Sequence, residues 1–221
     1  MADKMEVRTF DVTELEVRAD KVTTEEGEEV EERKITGYAA VFNKLSEPLW
    51  GFREKIDKGA FMDSVKSDDI RALWNHNPDY VLGRNKSGTL QLEEDDRGLK
   101  IEITPPETQW AKDLMTSIKR KDVNQMSFGF RTETDEWDHS DEKNVVRTLK
   151  KVRLFDVSPV TYPAYPQTKV AVRTAEEVYN EFLASEGQAD EEARVQEEQR
   201  KAGQAAAERE RELQILDAEV I

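Results

Sequence analysis

Apolar and polar residues alternate in short runs along most of this chain, and turn-forming residues separate the runs. That pattern predicts many short β-strands. Val7 to Val17 mixes Val, Thr and Phe with acids and reads as one edge-like strand, and Glu25-Glu26-Gly27-Glu28-Glu29 reads as a solvated turn. Ile35 to Phe42 is apolar on both parities, as expected of a strand buried on both faces, with Gly37 permitting a close approach or a bend. After a Pro-containing loop from Leu45 to Trp50 come a short strand, Phe52 to Ile56, and a helical turn at Met62 to Val65.

Ile70 to Trp74 predicts a strand that runs into Asn75-His76-Asn77-Pro78. Pro78 biases Asn77 towards extended backbone, which leaves His76 at the strand end or the mouth of a loop. Val81 to Arg84 follows, and then Thr89 to Glu93 and Leu99 to Ile103 alternate on either side of Asp95-Asp96-Arg97-Gly98. Between Thr108 and Lys119 the period changes: Trp110, Ala111, Leu114, Met115 and Ile118 recur as on one face of a helix. Lys119-Arg120-Lys121 suits its C-terminal dipole.

The next run, Val123 to Phe130, is β-prone and carries a single serine, Ser127, between Met126 and Phe128. A polar hairpin from Thr132 to Asn144 contains His139, and two further strands are expected at Val145 to Leu149 and Val152 to Val157. Pro159, Pro163 and Pro166 are expected to end regular structure, with a last short strand at Lys169 to Val172. Many short strands with one or two helices predict an α+β, mainly β domain over residues 1–173, closed or nearly closed into a barrel.

From Thr174 the character changes. Residues 174–221 hold 14 acids and 5 bases, no proline, and a nearly unbroken polar stretch between a stripe at Val178, Tyr179, Phe182 and Leu183 and an apolar end. Such a helical tail has little to bury, so it is either a solvated appendage or a docking arm.

Composition narrows the function classes. The 48 acids against 33 bases leave a net charge of −15, which argues against non-specific binding to nucleic acid or to an anionic membrane. With no cysteine and only two histidines, His76 and His139, thiolate catalysis is excluded and a metal first shell is poorly supplied. No Gly-rich phosphate loop, signal-like segment or membrane-length apolar run is visible, so no cofactor is expected and the default compartment is a cytoplasm.

What chemistry remains centres on Ser127, His76 and an acid. A serine hydroxyl needs a base to take its proton, histidine is the natural base, and a carboxylate can hold the imidazole tautomer. Asp156 is the acid that interrupts an apolar run, Leu154-Phe155-Asp156-Val157. Glu133, Asp135 and His139 are alternative third members. Each residue also has an ordinary reading: a strand serine, a turn-capping histidine, and an aspartate paired with Arg153 or Arg147.

The ordered set Ile35-Thr36-Gly37-Tyr38-Ala39-Ala40-Val41-Phe42-Asn43, Gly59-Ala60-Phe61, Trp74-Asn75-His76-Asn77-Pro78, Leu82-Gly83-Arg84, Gly98-Leu99, Met126-Ser127-Phe128-Gly129-Phe130 and Asp156-Val157-Ser158-Pro159-Val160-Thr161-Tyr162-Pro163-Ala164 resembles the prohead (capsid maturation) serine proteases of tailed bacteriophages. The likeness runs over about residues 30–172. It implies the fold of the herpesvirus assemblins, a β-barrel surrounded by helices, whose triad uses serine with two histidines. By position it implies Ser127 as nucleophile and His76 as base. Asp156 stands where the family usually has glutamate before Val-Ser, and His139 lies too near Ser127 in sequence to be the second histidine. The implied role is cleavage of scaffold or of the scaffolding segment of the major capsid protein, and of the protease itself, inside the prohead in the host cytoplasm. The partners would be those polypeptides and further copies of the chain, with neither nucleic acid nor membrane. The tail would recruit the protease into the shell. Two other readings stay open: a non-catalytic scaffold or assembly protein on the same fold, and a non-proteolytic serine esterase. An oxyanion site of backbone N–H groups is expected in a loop after Asp156.

Overall fold

The two strands expected around Val145 to Val157 are one strand, Val146–Val160, and the rest of the fold is arranged about it. A computed structural model describes residues 5–10, 14–23, 27–141, 143–162, 173–188 and 194–201. In chain order the elements are β1 (Glu6–Phe10), β2 (Glu16–Thr23), β3 (Glu29–Val41), β4 (Arg53–Ile56), α1 (Met62–Ser67), β5 (Arg71–Trp74), β6 (Asn77–Arg84), β7 (Leu90–Glu94), β8 (Gly98–Ile103), α2 (Gln109–Lys119), β9 (Gln125–Asp138) and β10 (Val146–Val160).

β10 pairs antiparallel with β9 along its length, and its other flank takes β4 near residues 146–149 and β5 at 156–157, both parallel. The resulting sheet has the order β1-β9-β10-β5-β6, with β4 beside β10, and a second sheet has the order β2-β3-β8-β7. The mainly β reading with a few helices holds. The closed barrel does not: among the described residues both sheets are open. A count of short strands is equally compatible with two open sheets enclosing one core. The outer strand β6 carries Pro78, which has no N–H to give to a further strand.

The core draws on both sheets and on α2, through Ile35, Leu99 and Ile101, through Phe128, Leu154 and Val157, and through Leu114 and Ile118. The helical period read from the sequence turns Ala111, Leu114, Met115 and Ile118 inwards. Phe61, at the start of α1, meets the Phe128 ring edge-on at 5.4 Å, and Phe128 lies 4.9 Å from Phe130. Fully buried rings of this kind each stabilise a fold by about 3–5 kcal/mol relative to alanine, so β9 is firmly held.

Three expectations shift at their edges. The single strand expected at Val7 to Val17 is two strands in different sheets, β1 and β2. Pro159 does not end β10, which runs one residue further opposite Met126 and Gln125. The expected Thr132–Asn144 hairpin begins later, because β9 continues to Asp138. The Lys169 to Val172 strand and the apolar end of the tail lie outside the described residues. The described residues from Glu176 onward belong to a second unit, separate from that ending at Ala175. Helices span 175–188 and 194–201, the latter carrying a Glu197–Arg200 ion pair at 2.8 Å. Among the described residues no helix is long and apolar enough to cross a membrane.

Candidate active site

The site begins with the period of β9. Phe128 and Phe130 point into the core, so Ser127 and Gly129 fall on the opposite face of the strand. Across the ladder Ser158 stands opposite Ser127, Asp156 opposite Gly129, and Leu154 opposite Phe130. The register shifts between Leu154 and Asp156, where two residues of β10 oppose one of β9. This bulge decides which face Asp156 takes. Without it Asp156 would share the core face of Leu154; with it Val157 takes the core position and Asp156 joins Ser127. A sequence signal for it existed: two core residues, Leu154 and Val157, three apart in a strand.

His76 arrives from the other flank. β5 runs parallel to β10, and Trp74 pairs with Asn77, so Asn75 and His76 form a two-residue hairpin turn, both with positive φ (54° and 55°). That is the type I′ arrangement, which asparagine tolerates well and histidine enters at a cost of about 1–2 kcal/mol. The turn is clamped to the end of β10: Asn75 N–H donates to the Pro159 carbonyl at 3.0 Å, and the Asn75 side chain exchanges hydrogen bonds with Thr161 at 2.9 and 3.3 Å. His76 was expected at a strand end, and it is; the hairpin was not foreseen.

The three elements bring the side chains into a line. His76 Nε2 is 2.7 Å from Ser127 Oγ, and His76 Nδ1 is 2.6 Å from Asp156 Oδ1. An ionised carboxylate only accepts, so the proton sits on Nδ1 and Nε2 presents a lone pair to the serine. Ser158 Oγ donates to the same Asp156 Oδ1 at 2.7 Å. Ser127 is 1% exposed, His76 9% and Asp156 5%. Chemically, such a line can take a proton from a hydroxyl and stabilise the imidazolium that results.

The alternative acids lie elsewhere. Glu133 is 3.4 Å from Lys151, and Asp135 is 2.6 Å from Arg147. They stand six and eight residues along β9 from Ser127, or about 20–27 Å at the rise of a strand. His139 follows the end of β9, about 40 Å away on the same scale. Asp156 takes neither arginine considered for it, since Arg147 pairs with Glu6, Glu54 and Asp135 and Arg153 lies near Asp68. The loop expected after Asp156 is strand up to Val160. Among the described residues no group of three or more His, Asp or Glu is arranged to hold a metal ion.

Sequence reasoning missed Ser158 and the part played by Gly129, whose missing side chain makes room for the Asp156 carboxylate. It also missed a buried ionic network beside the site. Arg147 donates to Glu6 at 2.7 Å, to Glu54 at 3.0 Å and to Thr132 at 2.8 Å, while Arg8 reaches Glu54 at 2.8 Å and Glu6 at 2.9 Å. Burial alone would raise the Glu6 carboxyl, but hydrogen bonding and charge from Arg147, with the charge of Arg8, hold its pKa down at about 2.

The model of one protein family, the caudovirus prohead serine proteases, matches residues 14–181. No curated protein matches the chain. Among solved structures the chain is similar to the bacteriophage T4 capsid assembly protease, with 12% sequence identity and a TM-score of 0.48, over 71% of this chain and 97% of that one.

Proposed function

Since the chain belongs to the caudovirus prohead serine protease family, we propose that it is a serine endopeptidase of capsid maturation with Ser127 as nucleophile, His76 as general base and Asp156 as the group that orients it. The observation that carries this reading is the unbroken Ser127–His76–Asp156 line, at 2.7 and 2.6 Å.

The chemistry follows from those contacts. Ser127 Oγ attacks a peptide carbonyl carbon as its proton passes to His76 Nε2, and Asp156 stabilises the imidazolium through Nδ1–H. The tetrahedral intermediate collapses with the C–N bond breaking and the proton passing from Nε2 to the leaving amine. Water, deprotonated by the same nitrogen, then hydrolyses the acyl-enzyme and restores the serine. Family membership supports a substrate among the proteins of the immature capsid: scaffold, the scaffolding segment of the major capsid protein, or the protease itself, cleaved within the prohead in the host cell.

Ser127→Ala tests this directly. Capsid-protein processing in assembling proheads should fall by roughly 10⁴-fold or more, with unchanged melting and incorporation. Processing at the normal rate by a folded Ser127→Ala protein would rule out the mechanism. Full assembly competence without any processing by the wild type would favour the non-catalytic scaffold reading.

A further inference from the structure

The Ser127 hydroxyl has a second acceptor. It donates to the backbone carbonyl of Arg8 at 2.8 Å. A hydroxyl carries one proton, so the Arg8 carbonyl and His76 Nε2 compete for the same O–H. The carbonyl belongs to β1, which lies antiparallel along β9 with Arg8 opposite Phe128 and Thr9 opposite Ser127. A nucleophile for polypeptides has to be met by a substrate's backbone carbonyl. Here it is met by the chain's own, and Ser127 is left 1% exposed.

Among the described strands β1 is the outermost of its sheet, so its departure would turn β9 into an edge beside the serine. Extended peptides bind such edges, with affinity from main-chain hydrogen bonds and specificity from pockets for alternate side chains. One such pocket is filled. The guanidinium of Arg8 forks onto Glu54 of β4, Nε to Oε1 at 2.8 Å and Nη2 to Oε2 at 3.2 Å, and lies 5.6 Å from the centre of the Phe130 ring. Glu54 is 1% exposed and belongs to the body of the fold, not to β1. A buried carboxylate that accepts two parallel N–H bonds selects arginine over other side chains.

We propose that the edge of β9 beside Ser127 is the groove for an extended polypeptide substrate, that β1 occupies it in the resting chain, and that Glu54 selects arginine at the residue whose carbonyl faces the serine. This rests on the reading of Ser127 as nucleophile. β1 inhibits because it fills the groove and its carbonyl oxygen competes with His76 Nε2 for the serine O–H.

The test uses the full chain and a serine-directed phosphonylating reagent, with labelling of Ser127 followed by mass spectrometry. Hydrogen exchange at residues 6–10 reports release of β1, and exchange at 125–138 reports that β9 stays folded. Arg8→Ala removes the fork. Labelling should rise by about tenfold or more, the equivalent of one charge-assisted hydrogen-bonded contact, in step with exchange at 6–10. A synthetic peptide of residues 5–10 should slow labelling of Arg8→Ala, and the same peptide with glutamate in place of arginine should not. Labelling that is independent of exchange at residues 6–10 overturns the occlusion, and equal inhibition by the two peptides overturns the role of Glu54. A Ser127 that labels in no folded form, with residues 6–10 exchanging freely, defeats the nucleophile reading itself.

Discussion

Gly129 and Asp156 face each other across the β9–β10 ladder so closely that a methyl group at 129 would lie 2.4 Å from Asp156 Oδ2. The carboxylate can stand beside His76 only because residue 129 has no side chain. Gly129→Ala should therefore push the carboxylate off its line. A misplacement of about 1 Å can cost about 10²-fold in rate, and a loss of that order in kcat is expected, measured on a peptide substrate with the fold checked by its melting curve.

Asp156→Asn tests the tautomer. The amide can donate to Nδ1, which would move the imidazole proton to Nε2 and leave no lone pair for the serine. A fall in kcat of about 10⁴-fold is expected, as for the equivalent loss in other triads, with KM little changed. Near-normal kcat would mean that Asp156 only fills space.

Ser158→Ala removes a positioning residue. Its hydroxyl anchors Asp156 Oδ1 and, in the arrangement proposed, touches no substrate. A drop in kcat of about tenfold is expected from one hydrogen bond to a charged group, with KM unchanged. A KM effect at constant kcat would contradict that role.

The buried network gives a pH dependence with a defined sign. Glu6 has its pKa lowered from 4.5 to about 2 in the folded chain. A depressed folded value means that the contribution is complete above the unfolded value and lost as pH falls towards the folded one. It amounts to about 3 kcal/mol at most. The difference in Tm between wild type and Glu6→Gln should be constant above about pH 4.5 and shrink between there and about pH 2. A difference that grows on acidification would contradict the assignment.

Periodicity located most of this fold, because burial imposes it directly: α2 and the alternation of β7 and β8 lie close to where the sequence places them. Ser127, His76 and Asp156 were legible as residue types able to act together, and the resemblance supplied their order. What could not be read depends on backbone events that leave almost no residue signature. The bulge before Asp156 moves its side chain from the core face to that of Ser127, and the positive-φ turn at Asn75 and His76 folds the imidazole back onto β10. The barrel failed for a related reason, since edge pairing is set by partners distant in sequence and not by any local pattern. The network at Arg147 joins residues as far apart as Glu6 and Arg147, beyond any window of periodicity.

β10 also carries a consequence in time. It is the last of the strands described, and it alone links the strand bearing the serine to the one that precedes the histidine turn. Contacts between distant parts of a chain wait for the later part to exist. On a ribosome, His76 and Ser127 would both have emerged long before the strand that joins them. A nascent chain halted before Val146 holds two members of the line but has nothing to align them. The site is thereby postponed until Val160 has been synthesised, a delay written into strand order and independent of any inhibitor.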